Sequence, residues 1–216
     1  MSPEALNLVR ISQLSILIPL VLVLMSYKRF QPKKILLGLV IVFTFGAEVI
    51  AFLIVEFVQE PNNLPVYHVL VILLFFLFNR LYKHILKDTI KGEVFDVLMV
   101  LFTVFAILNS LWLQPLNTFN SNTIVTASII YVFLSLIHFR QFLQLSILKP
   151  LSGDWTFWLS AGLLLYHSGS LMLFFFVNYV ESVPKEVVTA SWLLNALFNV
   201  FLNGFYTIAL WKKSIA

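Results

Sequence analysis

Apolar positions along this chain gather into long, nearly uninterrupted runs, and polar positions into short clusters between them. Seven apolar runs stand out, over 7–27, 35–58, 65–83, 94–114, 122–143, 156–179 and 186–210. A bilayer core takes about 20 residues of helix to cross. Inside it the backbone has only itself to bond with, so runs this long predict helices. The clusters between them hold turn formers and helix breakers, such as Glu60-Pro61-Asn62-Asn63 and Gln114-Pro115-Leu116-Asn117. Asp154, and Asn120 or Ser121, stand where helix N-caps belong. The expected fold is an all-α integral membrane protein, a single seven-transmembrane-helix bundle over residues 1–216.

The first run is expected to be a retained span. No basic segment precedes it, it outruns a signal-peptide core, and Lys28-Arg29 follows it where a cleavage site would need small residues. Lysine and arginine set the orientation. Lys28, Arg29, Lys33, Lys34, Arg80, Lys83, Lys87, Lys91, Arg140, Lys149, Lys212 and Lys213 fall on one side of the seven spans; only Arg10 and Lys185 fall on the other. The positive-inside rule then puts the N-terminus outside and the C-terminus in the cytoplasm, in a multi-pass protein of the plasma (cytoplasmic) membrane.

Composition narrows the chemistry. Of 216 residues 60% are apolar and 11% charged, against about 25% charged in soluble domains. Seven spans leave residues for short loops only. With no cysteine, disulfides, thiolate catalysis, Fe–S clusters and Cys-based zinc sites are excluded. The net charge of +4 belongs to the cytoplasmic face and gives no reason to expect nucleic acid. That face suits anionic lipid, at about 1 kcal/mol per basic residue near the surface, or a cytoplasmic signalling protein.

Polar residues inside the runs carry the functional information. Glu48 sits fourteen residues from Lys34 and twelve from Glu60, near mid-membrane at 1.5 Å per residue. A central carboxylate costs roughly 2.5–3.5 kcal/mol even on the lenient scales. Glu48 must therefore face the interior, be paired or be protonated. His167, preceded by Tyr166, lies at a similar depth in the sixth run. Asn195, Asn199 and Asn203 recur every four residues on the seventh, a face that Trp192 and Tyr206 extend. Asn109 and Ser110 add polar groups nearer the outside. Interhelical hydrogen bonding explains such residues at about 0.6–2 kcal/mol each. A ligand-binding pocket of Glu48, His167, Tyr166, Asn195, Asn199, Trp192 and Asn109 is the functional alternative. His68, His84 and His138 are dispersed in depth, so neither a metal site nor another cofactor is expected. Gly162 and Gly169, a heptad apart, predict a close helix approach.

Seven spans with this orientation invite comparison with microbial rhodopsins, but the last helix has no lysine for a retinal Schiff base. It also lacks the His pair of haemolysin-III-type membrane hydrolases, and no internal repeat of the small sugar-transporter kind is present. Asp154-Trp155-Thr156-Phe157-Trp158, with Gly162, Leu165-Tyr166, Gly169 and Asn178-Tyr179, followed by Trp192, Asn195, Asn199 and Tyr206, resembles a pattern in uncharacterised bacterial seven-helix proteins. These are similar to the membrane sensor portions associated with some histidine kinases. The resemblance implies a receptor-like sensory module with a small ligand or proton entering from outside. It carries over no catalytic residue, and any signalling needs a separate partner. The alternatives are a small-solute or proton-coupled transporter and a structural accessory subunit. No catalytic motif is present, so an enzyme ranks last.

Overall fold

The computed structural model describes residues 3–59, 61–145, 153–176 and 185–212. They form eight α-helices: α1 Pro3–Leu14, α2 Leu17–Ser26, α3 Pro32–Phe57, α4 Leu64–Ile85, α5 Gly92–Leu108, α6 Ser121–Leu145, α7 Trp155–Phe176 and α8 Lys185–Trp211. Helices α1 and α2 are the two halves of the first expected span, so seven helical stretches are present, with no strand among the described residues. Six stretches are long and apolar enough to cross a membrane: Asn7–Ser26, Pro32–Phe57, Leu64–Ile85, Gly92–Leu113, Ser121–Gln144 and Val187–Trp211. The sixth expected span corresponds to α7; its last residues, 177–179, lie outside the described ones. For the other spans the expected bounds agree with the helices to within three residues, except that α1 begins four residues earlier, at Pro3, and that α5 ends at Leu108, with Asn109–Leu113 continuing the span toward 114.

The distribution of side chains is the reverse of that in a water-soluble protein. Helix α5 exposes Val97, Val100, Leu101, Val104 and Ile107, and Leu111 follows on the same side of the chain. Meanwhile Ser128, Ser135, Ser160, Ser170 and Asn203 are buried. In water so much exposed aliphatic surface would drive association. In hydrocarbon it is the correct outer surface, and inward small polar residues bond helix to helix. The chain is thus a multi-pass helical membrane protein. Trp112 and Trp211 are exposed near span ends, whereas Trp155 is buried and serves packing.

The first span is broken, which the apolar pattern does not announce. Pro19 has no N–H to give the Ser15 carbonyl, and its ring crowds that carbonyl. Helix α1 therefore stops at Leu14 and α2 restarts at Leu17. The Ile18 N–H reaches the Ser15 carbonyl at 3.3 Å, and the Ser15 hydroxyl turns back onto the Ser12 carbonyl at 2.6 Å. Span four ends differently. After Leu108 the backbone widens into a π turn, Asn109–Leu113, closed by the Gln114 N–H on the Asn109 carbonyl at 2.7 Å.

The chain divides into two compact units, Met1–Arg29 with Ser128–Ala216, and Phe30–Ala127. In the first, α8 packs against α7, α1 and α2. Close approach of α7 to α8 is set by glycine, as the heptad spacing predicts. A Cβ on Gly162 would lie 2.7 Å from Phe205 Cβ, and one on Gly169 would collide with the Phe198 ring. In the second unit α4 packs between α3 and α5. Phe75 stacks on Phe102 with ring centroids 3.7 Å apart. The Asn79 amide donates to the Phe95 carbonyl at 2.7 Å, and Lys83 pairs with Asp96 at 2.6 Å. Helix α4 ends at Ile85, and α6 runs to Leu145.

Candidate functional site

Two of the seven expected ligand-binding residues, Glu48 and Asn109, belong to the unit 30–127. The other five, Tyr166, His167, Trp192, Asn195 and Asn199, belong to the first unit.

Glu48 is half-buried on α3, nine residues before Phe57, the helix end, or about 14 Å of helix. Its partner is Tyr67, in the first turn of α4, whose hydroxyl donates to Oε2 at 3.4 Å. That is long for an O–H···O bond, which is strongest at about 2.7–2.8 Å. No ion pair among the described residues includes Glu48. From Glu48 through Asn79 the chain contains no Lys or Arg, and Glu56 stands exposed two turns farther along α3.

Beside it lies a polar network that sequence reasoning found only at Asn109 and Ser110. The Asn120 amide donates to the Tyr67 carbonyl at 3.3 Å. The next residue, His68, is buried, with Nδ1 on the Ser110 hydroxyl at 2.8 Å and Nε2 on the Thr118 carbonyl at 3.0 Å. Asn109 donates to Gln114 Oε1 at 3.1 Å and accepts from the Asn122 amide at 3.0 Å. Gln114 Oε1 also takes the backbone N–H of Asn122 at 3.0 Å, and its Nε2 donates to the Ser121 hydroxyl at 2.8 Å. Thus Gln114 caps α6 from seven residues upstream. Asn120 Oδ1 accepts no helix N–H, and Ser121 is the first helical residue. The π turn makes this possible by placing Gln114 opposite the helix start. One buried atom here lacks a hydrogen-bond partner, Asn120 Oδ1.

In the first unit His167, Asn195 and Asn199 hydrogen-bond one helix to another. His167 Nδ1 shares a 2.9 Å hydrogen bond with the Ser128 hydroxyl of α6. Its ring lies between Tyr131, 4.8 Å away, and Tyr166, 5.0 Å away. Asn195 accepts from the Ser170 hydroxyl at 2.7 Å, joining α8 to α7. Trp192 is half-buried one turn earlier on α8. Asn199 donates to the Ser12 hydroxyl at 2.9 Å and to its carbonyl at 3.4 Å, and Asn203 donates to the Ser15 hydroxyl at 2.7 Å. The asparagine face of α8 therefore closes over the break between α1 and α2. Four-residue spacing serves here because two amides must meet two hydroxyls three residues apart.

Near the start of α7, Asp154 caps the helix as expected, accepting the Thr156 N–H at 2.8 Å and the Thr156 hydroxyl at 2.9 Å. His138 of α6 contacts that same hydroxyl at 3.3 Å and the Ser160 hydroxyl at 2.8 Å. Ser160 is fully buried. It fastens α6 to α7.

His167, Asn195, Asn199 and Asn109 each hold a hydrogen bond of 3.1 Å or shorter. Glu48 has only the long contact to Tyr67 among the described residues, and that makes it the group best able to accept something more. No family model, curated protein or solved structure matches this chain.

Proposed function

We propose that the protein is a small receptor-like, sensory membrane module. Its seven helices cross the membrane with the N-terminus outside and the C-terminus in the cytoplasm. A small ligand or proton arrives at Glu48 from the outer side. The response leaves through the basic ends of the spans to a separate cytoplasmic signalling protein. The observation that carries this reading is the under-satisfied Glu48 carboxylate within a span. An intramembrane acid is costly and is by default a functional group. The similarity of the last two spans to bacterial sensor portions supports the same direction.

A proton-coupled or small-solute transporter is the second reading, favoured by one observation, the broken first span. Irregular backbone at membrane depth is tolerated where protein buries it or a cavity is lined, and transporters use such breaks at their sites.

One experiment separates them. The chain has no native cysteine, so Asp88→Cys in the α4–α5 turn can be labelled alone with an environment-sensitive fluorophore. In liposomes loaded with a pH dye, an outer acid pulse should change the label's emission without proton flux, and Glu48→Gln should abolish the change. Flux lost in Glu48→Gln would establish the transporter instead. If neither signal appears in the wild type under acid or candidate ligands, the polar residues are structural, as in an accessory subunit.

A further inference from the structure

We infer that the seam between α4 and α5, at the basic end of the unit 30–127, binds the headgroup of an acidic phospholipid, with the Arg80 guanidinium on its phosphate. This inference is independent of Glu48 and of the sensory reading.

Helix order gathers the charge. Short connections join α3 to α4 and α4 to α5, and α4 packs between the other two. The start of α3, the end of α4 and the start of α5 therefore share one end of the unit. Lys33, Lys34, Arg80, Lys83, Lys87 and Lys91 stand there, against three acids, Asp88, Glu93 and Asp96. The connections at the opposite end, 58–63 and 109–120, hold no lysine or arginine. A basic cluster of this size beside membrane helices suits acidic lipid.

Contact geometry decides which cation is open. Lys83 lies along the start of α5, where a Cβ on Gly92 would stand 3.0 Å from its Cε. Its ammonium meets Asp96 at 2.6 Å. Arg80 stands 3.7 Å from the same carboxylate, beyond hydrogen-bond range. Its side chain is 47% exposed, against 27% for Lys83. One carboxylate thus faces two cations and is held closely by Lys83. Arg80 keeps charge to spare, in a planar fork of N–H groups that matches phosphate oxygens.

Position names the source of the phosphate. Arg80 lies within the membrane-length helix Leu64–Ile85, five residues before its end, or about 7.5 Å. The guanidinium lies over the Phe76 ring, 5.5 Å from its centroid, and Phe76 is itself exposed. On α5, Val97 and Val100 are exposed one and four residues past Asp96. The cation thus borders apolar outer surface toward mid-membrane, and a turn with exposed Lys87 and Lys91 on the other side. A soluble phosphate would use only the second. A phospholipid uses both, with acyl chains along Phe76 and Val100 and its phosphate on Arg80.

The test is native mass spectrometry of the full chain, released from micelles holding equal amounts of phosphatidylglycerol and phosphatidylcholine with the same acyl chains. The wild type should retain phosphatidylglycerol preferentially. Arg80→Gln should lower that preference about fivefold, the weight of one basic residue at a membrane surface. Arg10→Gln, the same loss of charge at the other end of the spans, should leave it unchanged. Asp96→Asn should raise it, because the carboxylate that competes for Arg80 is gone; a merely structural ion pair would give no rise. Excess glycerol phosphate should not displace the lipid. An unchanged preference in Arg80→Gln, an equal loss in Arg10→Gln, or displacement by glycerol phosphate overturns the inference. If Arg80→Gln does not fold, Asp96→Asn decides, and an unchanged or lowered preference there overturns it. No preference in the wild type also overturns it, and leaves the basic end to a protein partner.

Discussion

Adding one methyl group to each of three glycines should separate geometry from glycine's general cost in a helix. At Gly162 a Cβ would stand 2.7 Å from Phe205 Cβ, 3.2 Å from its Cγ and 3.4 Å from Leu202 Cδ1. Carbon pairs rest at about 3.5–4.0 Å, so the neighbours must yield by about 1 Å. Phe205 Cβ is fixed to the α8 backbone and no rotamer change moves it. Gly162→Ala therefore forces α7 and α8 apart, an overpacking cost of about 1–3 kcal/mol. Alanine's better helix propensity returns about 1 kcal/mol, leaving a net loss of up to about 2 kcal/mol. At Gly169 the obstacle is the far edge of the Phe198 ring, which can swing, so the loss should be smaller. A Cβ added at Gly204 would have nothing within 4 Å, and Gly204→Ala should stabilise by up to about 1 kcal/mol. The expected order of stability is Gly204→Ala, then Gly169→Ala, then Gly162→Ala. Reversible unfolding in mixed micelles, or steric trapping in bicelles, measures it. Should Gly162→Ala prove as stable as Gly204→Ala, the close α7–α8 approach is wrong.

Asn203→Leu leaves the Ser15 hydroxyl without its amide donor, and should cost about 0.6–2 kcal/mol. In a double-mutant cycle with Ser15→Ala most of that loss should vanish; additive losses would refute the contact. Gln114→Leu removes the α6 cap together with two side-chain bonds. It should destabilise more than Asn195→Leu, which breaks one, and hydrogen exchange should rise first at the amides of Asn122 and Thr123. Asp154→Ala should cost about 0.5–2 kcal/mol as a lost N-cap, with Asp154→Ser recovering most of it in the same unfolding assay.

Sequence showed some of this plainly. Apolar run length located the helical stretches because hydrocarbon leaves the backbone one solution. The heptad from Gly162 to Gly169 and the cap at Asp154 were legible because both depend on local spacing. Most of the site was not. Glu48 meets Tyr67 although the two are at unequal distances from the loop joining α3 to α4, so no hairpin symmetry pairs them. Gln114 looked like part of a breaker cluster, and only the π turn swings it onto the start of α6. The ladder of Asn195, Asn199 and Asn203 was visible, but not its partners, since Ser12 and Ser15 are unremarkable in an apolar run. Pro19 was the available clue. The carbonyl it frees, that of Ser15, takes the Ile18 N–H of the same span, and the α8 amides meet the hydroxyls of Ser12 and Ser15 beside it.

The broken first span also bears on how the protein is made. Neither half, at 12 and 10 residues, is long enough to cross a membrane alone. The amides that close over the break arrive on the last helix, 187 residues later for the Asn199–Ser12 pair. Until then the first span satisfies itself in part, with the Ile18 N–H on the Ser15 carbonyl and the Ser15 hydroxyl on the Ser12 carbonyl. The Ser12 and Ser15 hydroxyls therefore gain these amide donors only once α8 has been made and has docked.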